Sequence, residues 1–185
     1  MFRRLICVLA LCLPIVAQEQ APKTIADSVA NSLQWTEDEF YSVAEAMPEA
    51  KYNYVPTAGQ FEGVRSFAEQ VKHVACANFG FFNEIEEKTP PDGCEKGGPS
   101  PAKTKTELLK YLKDSFDYGN KVLQTIDAKN ALDRVDGRYA GPNSKLGLAV
   151  AAVWHITDHY GQIVEYLRMN AIVPPPTQKY GVKVR

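Results

Sequence analysis

The chain has 185 residues, enough for one domain of ordinary size, and 45% of them are hydrophobic. With 23% charged residues and a formal net charge of −1, it does not have the composition of an intrinsically disordered protein. No cluster of lysine and arginine follows any predicted helix, so a nucleic-acid partner is not expected. These properties favour a globular protein, and the substrate expected for it is a small molecule that the sequence does not identify.

Residues 1–17 have the pattern of a secretory signal peptide, which is removed on export. Two arginines near the start are followed by an apolar segment from Leu5 to Val16, and Ala17 precedes a suitable cleavage position. The apolar segment is too short to span a bilayer comfortably. We therefore expect a single mature domain of residues 18–185, periplasmic or secreted, with no stable membrane anchor after cleavage.

Removal of the signal peptide leaves two of the four cysteines, Cys76 and Cys94. Two cysteines in an oxidising compartment usually pair. Cys76 falls in a predicted helix and Cys94 in the loop that follows, so a disulfide would tie that loop to the helix. Two unpaired thiols are the alternative interpretation.

Apolar residues recur at helical spacing in four segments of the mature chain. These predicted helices cover residues 24–47, 60–87, 104–127 and 143–170, and the third starts at Thr104 or Thr106. Within the first segment, Thr36 and Glu39 have the spacing of a capping box, so this segment is either one helix or two that meet near Trp35. The fourth helix has Asn143 or Ser144 as its N-cap and stops at Asn170, before three consecutive prolines.

The clearest loop is residues 88–103, which contain four prolines and three glycines. It is long enough to cross the end of a helical bundle. No alternation of apolar and polar residues long enough for a β-strand occurs. The sequence thus predicts an all-α fold, a four-helix bundle with a long crossover loop between helices two and three.

The chain contains only three histidines: His73, His155 and His159. His155 and His159 are four residues apart, which places both imidazoles on one face of the fourth helix. Imidazole is a common ligand of divalent metals, and three converging histidines would leave a coordination position open. Helical periodicity places His73 opposite the centre of its helix's apolar stripe, so it lies either in a small-residue seam around a metal or in solvent. The zinc-protease motif HExxH is absent, because Ile156 replaces its glutamate.

Two segments carry a resemblance to a known family. HxxxHxGQIVxYLRMNxIVPP at residues 155–175 and KHVACANFGFF at residues 72–82, with four predicted helices, resemble the DinB/YfiT-like superfamily. The resemblance implies a four-helix bundle that binds a divalent metal through three histidines, one on the second helix and two on the fourth. Carried over to this chain, the ligands are His73, His155 and His159. The signal peptide and the cysteine-containing loop depart from the family pattern.

The resemblance implies a metal-dependent enzyme of the hydrolase or thiol-transferase type, which activates water or a thiol at the open position. Zinc is the first choice of metal and nickel the second. Asp158 and Gln162 flank the ligand face and are the candidates for an assisting role. Equally, Asp158 can be a solvated acid and Gln162 an amide that orients an imidazole. Trp154 and Tyr160 point elsewhere and are interpreted as packing residues.

Two alternatives stay open at this point. The first is a non-catalytic helical bundle that binds a metal or another ligand, and the second is a plain bundle with incidental histidines. The sequence identifies no substrate, and a homodimer is compatible with it.

Overall fold

The computed structural model describes residues 21–137 and 139–179, so the predicted signal peptide lies outside the described residues. The described chain is mostly helical. Its helices are α1 (Ile25–Ala46), α2 (Phe67–Ile85), α3 (Lys105–Leu123), α4 (Lys145–Met169) and α5 (Pro175–Lys179), and its strands are β1 (Arg134–Asp136) and β2 (Pro142–Ser144). Across the described residues, no helix is both long enough and apolar enough to cross a membrane.

Helix α1 is continuous, and its N-terminus is capped by Thr24, whose hydroxyl oxygen accepts a hydrogen bond from the Asp27 amide. The capping box predicted at Thr36 is wrong, because Thr36 lies inside the helix. Its hydroxyl donates to the carbonyl of Leu33, a local bond that leaves the helix unbroken.

Capping residues set the starts of the other three long helices. α2 begins at Phe67, later than predicted, because Ser66 and Glu69 form a capping box there. Thr104 caps α3 in the same way, with Glu107 as its partner. Ser144 caps α4, and Asn170 follows its last residue, as predicted. Residues 60–66 include the apolar Phe61 and Val64 and were predicted to be helical, but they form no α-helix before the cap.

The four long helices surround one hydrophobic core. α1 and α2 each pack against both α3 and α4. The largest side chains without solvent exposure come from every one of these helices: Phe40, Leu33, Phe67, Phe82, Ile85, Phe116, Leu112, Leu148 and Ile156. Full burial of each such side chain stabilises the fold by roughly 1.5–3 kcal/mol.

Helices α2 and α3 approach each other closely at Gly119. A Cβ atom at this position would lie 2.3 Å from the ring of Phe82, which has no solvent exposure. Only a glycine lets the two backbones come this near without moving the phenylalanine. Because α2 and α3 are neighbours, the crossover expected of residues 88–103 is not confirmed.

Within the loop between α2 and α3, Cys94–Lys96 form a short 3₁₀ turn, called the Cys94 turn below. The Sγ atoms of Cys76 and Cys94 are at bonding distance, 1.97 Å, and their Cα atoms are 5.3 Å apart, a separation usual for a disulfide. The geometry is thus compatible with the predicted pairing of these two cysteines.

A small antiparallel sheet joins α3 to α4, in a segment where no β-strand was predicted. Val135 pairs with Asn143, and its side chain is buried. Each strand has only three residues, too few for a period-two pattern to be recognised. Helix α4 ends at Met169, before the prolines, and Ala171 has a φ of 58°. Pro175 then begins α5, because proline is well tolerated in the first turn of a helix.

Candidate metal centre

All three histidines of the chain meet at one place in the core. One nitrogen from each of His73, His155 and His159 lies within 4.8 Å of the other two. His73 comes from α2, while His155 and His159 come from successive turns of α4, and these two helices pack against each other. The ring centroids are 4.5–5.0 Å apart. The structure therefore brings together the three residues that the sequence singled out.

His73 is 2% exposed and His159 is 6% exposed, so the two are buried, and His155 is partly buried. The solvent-exposed alternative for His73 is thus wrong. Periodicity misplaced this side chain because it compares a residue only with its own helix. The neighbour that covers His73 is the Cys94 turn, which belongs to a distant loop.

The orientation of His73 is fixed by a backbone carbonyl. Its Nδ1 lies 2.8 Å from the oxygen of Cys94. A carbonyl oxygen can only accept, so Nδ1 carries the proton and Nε2 has the free lone pair. Nε2 points towards His155, 3.1 Å from the Nε2 of that ring.

His159 is oriented by a chain of side-chain amides. Its Nδ1 lies 2.8 Å from Gln70 Oε1. Gln70 Nε2 donates to Gln162 Oε1 at 2.7 Å, and Gln162 Nε2 donates to Asp158 Oδ2 at 3.0 Å. The exposed carboxylate at the end of the chain sets the direction of every bond, so that Nδ1 of His159 is the protonated nitrogen and Nε2 is free.

His155 tests whether a cation fits the cluster. Its Nδ1 is buried and has no hydrogen-bond partner among the described residues. Its Nε2 faces the lone pair of His73, so without a cation it must donate a proton there and leave Nδ1 as a bare acceptor. A buried, unsatisfied polar atom costs about 1–3 kcal/mol. A cation among the three rings would accept the Nε2 lone pairs of His73, His155 and His159 together, which a single proton on His155 cannot do, so the residues present fit a divalent metal.

Burial also keeps the three rings neutral. Burial, followed by the adjacent His159 and His73, lowers the pKa of His155 to about 3. Burial, followed by His73 and then the charge of Arg65, lowers the pKa of His159 to about 4. Burial lowers the pKa of His73 too, although its bond to Cys94 opposes the effect. Neutral imidazole is the form that binds a metal, so the cluster is ready for one at neutral pH.

Aromatic side chains line the side of the cluster formed by α2. Phe81 contacts His155 edge to face, with ring centroids 5.6 Å apart. Tyr139 packs against Phe81 in the same manner, with ring centroids 5.2 Å apart. Tyr139 belongs to the connection between β1 and β2, whose backbone amides at Tyr139 and Ala140 donate to the buried carboxylate of Glu84. The small sheet therefore brings an aromatic ring close to the histidines.

The two assisting residues predicted on α4, Asp158 and Gln162, are connected to His159 by hydrogen bonds that pass through Gln70. Sequence reasoning missed Gln70, although a glutamine three residues before His73 on the same helix was a detectable signal. It also missed the carbonyl of Cys94, for which no side-chain signal exists. Trp154 was interpreted as packing, and this is wrong, since it is 69% exposed. Tyr160 does pack against the core.

A family model described as the DinB superfamily matches residues 32–163. No curated protein gives a significant match.

Solved structures of similar fold include a DinB-like protein from Bacillus cereus ATCC 10987, 14% identical, with a TM-score of 0.65 over 80% of this chain and 93% of that chain. A DinB-like protein from Bacillus subtilis is 18% identical, with a TM-score of 0.61 over 78% and 92% of the two chains. A conserved protein from Enterococcus faecalis is 17% identical, with a TM-score of 0.62 over 78% and 95%. At these identities the likeness extends to the fold alone.

Proposed function

Since this chain belongs to the DinB superfamily, we propose that it is an exported metal-dependent enzyme whose ligands are His73, His155 and His159. Zinc is the first candidate for the metal and nickel the second, because an all-imidazole site discriminates poorly between them. The reaction is of the hydrolase or thiol-transferase type. A divalent ion held in this way supplies a Lewis acid that activates a water molecule or a thiol.

One observation carries this proposal. In two of the three rings, His73 and His159, Nδ1 donates a hydrogen bond to an oxygen, which leaves Nε2 with a free lone pair. The ligand nitrogens of all three rings lie within 4.8 Å of one another. Metal-binding histidines commonly donate the other ring N–H to a carbonyl or carboxylate in this manner. Structural histidines that only pack have no need for converging lone pairs.

The residues around the cluster orient it and control its polarity. Gln70 holds His159, and the chain through Gln162 to Asp158 connects this ligand to a carboxylate at the surface. Asp158 is exposed, so the hydrogen-bonded chain that begins at His159 ends in contact with solvent. Phe81 shields one side of His155 from water, which strengthens electrostatic interactions inside the site.

The frame of the site is proposed to be the four-helix bundle of the superfamily, with α2 and α4 as the ligand-bearing pair. Residues 1–17 are proposed to direct the chain to the periplasm or the exterior. An exported location favours hydrolysis over thiol transfer, because low-molecular-weight thiols are mainly cytosolic cosubstrates.

Elemental analysis of the purified mature protein tests the proposal. We expect about one divalent metal ion for each wild-type chain and almost none for His155→Ala, which removes one of three ligands. Asp158→Asn, on the same helix, removes no ligand and keeps an oxygen that can accept the hydrogen bond from Gln162, so this variant should retain the metal. Panels of hydrolase and thiol-transferase substrates should then show activity in the wild type and none in His155→Ala.

A metal-free wild-type protein that also fails to bind added zinc or nickel would contradict the proposal. Equal metal content in the wild type and His155→Ala would contradict the ligand assignment. Stable metal binding without activity on any substrate would favour the non-catalytic alternative, a metal-binding bundle.

A further inference from the structure

We propose that the Cys76–Cys94 disulfide positions the metal ligand His73, so that formation of this bond raises the metal affinity of the site. The inference rests on the proposed metal-binding function and adds a redox-dependent control to it. It uses two cysteines and one backbone carbonyl that the metal chemistry itself does not require.

Two links join the Cys94 turn to one stretch of α2. The carbonyl oxygen of Cys94 accepts the hydrogen bond from His73 Nδ1 at 2.8 Å. The side chain of the same residue reaches Cys76, which lies three residues after His73 on the helix. The covalent link therefore holds the carbonyl that selects the tautomer of the ligand and the direction of its lone pair.

The turn is built closely onto Cys76. Gly93 and Gly97 flank it with φ values of 69° and 85°, a backbone conformation that favours glycine. A Cβ atom at Gly98, which follows, would lie 2.2 Å from the Sγ of Cys76. The glycines thus allow the loop to lie directly on the helix at the cysteine.

The segment before α2 makes a further contact with this turn, through Arg65. Arg65 donates two hydrogen bonds to the carbonyl of Glu95, each at 3.1 Å, and pairs with its carboxylate. The Glu95 side chain is 76% exposed, and ion pairs at the surface contribute only about 0–1 kcal/mol. Without the disulfide, the turn keeps this contact and its packing on α2, but no covalent bond then fixes the Cys94 carbonyl against His73.

The first measurement compares zinc affinities. Oxidised wild-type protein, with the bond verified by intact mass after alkylation, is titrated with Zn²⁺ against a competing chromophoric chelator. The mature form of the Cys76→Ser/Cys94→Ser variant, residues 18–185, has no thiols to bind zinc. It should bind zinc roughly 10–100-fold more weakly, the usual effect of losing a group that orients a ligand. Glu95→Gln changes the same turn but keeps the disulfide, so its affinity should stay within about twofold of wild type.

The second measurement reads the tautomer of His73 directly. Long-range ¹H–¹⁵N NMR spectra of the metal-free protein should show one protonated Nδ1 in the oxidised wild type, and a mixture of tautomers in the double serine variant. Because it needs no metal, this readout tests the positioning role even if the proposed metal binding fails.

Unchanged zinc affinity and an unchanged tautomer in a double serine variant of native helical content would overturn the inference. Free thiols in protein taken from its native oxidising compartment would also overturn it. If the variant and the reduced wild type both lose their helical content, the bond holds the whole fold and not one ligand, which again counts against the proposal.

Discussion

Each of the three histidines has a different neighbour, and the neighbour decides which ring nitrogen is free. A backbone carbonyl holds His73, an amide side chain holds His159, and Nδ1 of His155 has no hydrogen-bond partner among the described residues. Among the three rings, His155 is therefore the one whose orientation no hydrogen bond at Nδ1 fixes. The other two are oriented in advance.

Gln70 should be the most sensitive residue outside the ligand set. Gln70→Met keeps the side-chain length but removes the acceptor for His159, so we expect the zinc affinity to fall by about 10–100-fold. Competition titration with a chelator measures this change. Gln34→Met, at an exposed position of α1, is the matched control and should leave the affinity unaltered. Equal affinities for the two variants would show that the amide chain does not support the site.

The lowered histidine pKa values predict an acid-sensitive metal-free protein. Above pH 6.5, the usual histidine pKa, the rings are neutral in both the folded and the unfolded chain. Below pH 6.5, the histidines of the unfolded chain become protonated. In the folded chain, His159 stays neutral down to about pH 4 and His155 down to about pH 3. The free energy of unfolding should therefore fall as the pH is lowered through this window.

Urea unfolding of the chelator-treated protein at several pH values measures this dependence. His155→Phe removes the titrating ring but retains its bulk, so its stability should depend less steeply on pH between 6.5 and 4. The same slope in both proteins would mean that His155 is not held neutral by the fold.

Much of the site could be predicted from residue identity alone, because the chain has no other histidine from which to choose. The i,i+4 spacing of His155 and His159 fixed their common face. The burial of His73 could not be predicted in the same way, since it depends on a loop that folds back onto α2. Contacts of this kind leave no periodic signal in the sequence.

At the scale of whole elements, two helical glycines differ in their surroundings: Gly119 lies against another helix, whereas a Cβ atom at Gly161 would meet no atom within 4 Å. Gly119→Ala should destabilise the fold, because the new methyl group meets the buried ring of Phe82 and overpacking typically costs about 1–3 kcal/mol. Gly161→Ala, in α4, meets nothing within 4 Å and should stabilise the protein by up to about 1 kcal/mol through helix propensity. Urea midpoints of the two variants provide the comparison. A stabilised Gly119→Ala would mean that α2 and α3 are farther apart than described.

The bounds of the helices were predictable where capping residues mark them, as at Thr104 and Ser144. They were not predictable where apolar residues continue beyond the helix, as before Ser66. There a capping box decided the start of α2 against the longer apolar pattern. The β1–β2 pair could not be foreseen either, since it is stabilised by the buried Val135 and by Glu84 of α2, not by its own sequence pattern.

At the scale of the whole molecule, the site exists because α2 and α4 are neighbours. Periodicity predicts that four helices form, but it carries no information on which helices adjoin. The family resemblance supplied that information, by assigning one ligand to the second helix and two to the fourth. The packing of α2 against α4 agrees with this assignment, whereas the crossover expected between helices two and three is not confirmed.

A crystal structure of the metal-loaded protein, with anomalous diffraction collected at the absorption edge of the metal, tests the central claim most directly. We predict one anomalous peak at about 2.0–2.2 Å from a ring nitrogen of each of His73, His155 and His159, with no fourth protein ligand. A peak elsewhere, or no peak in protein that contains the metal, would contradict the three-histidine site. A fourth protein ligand would leave no open position and would contradict the enzymatic function.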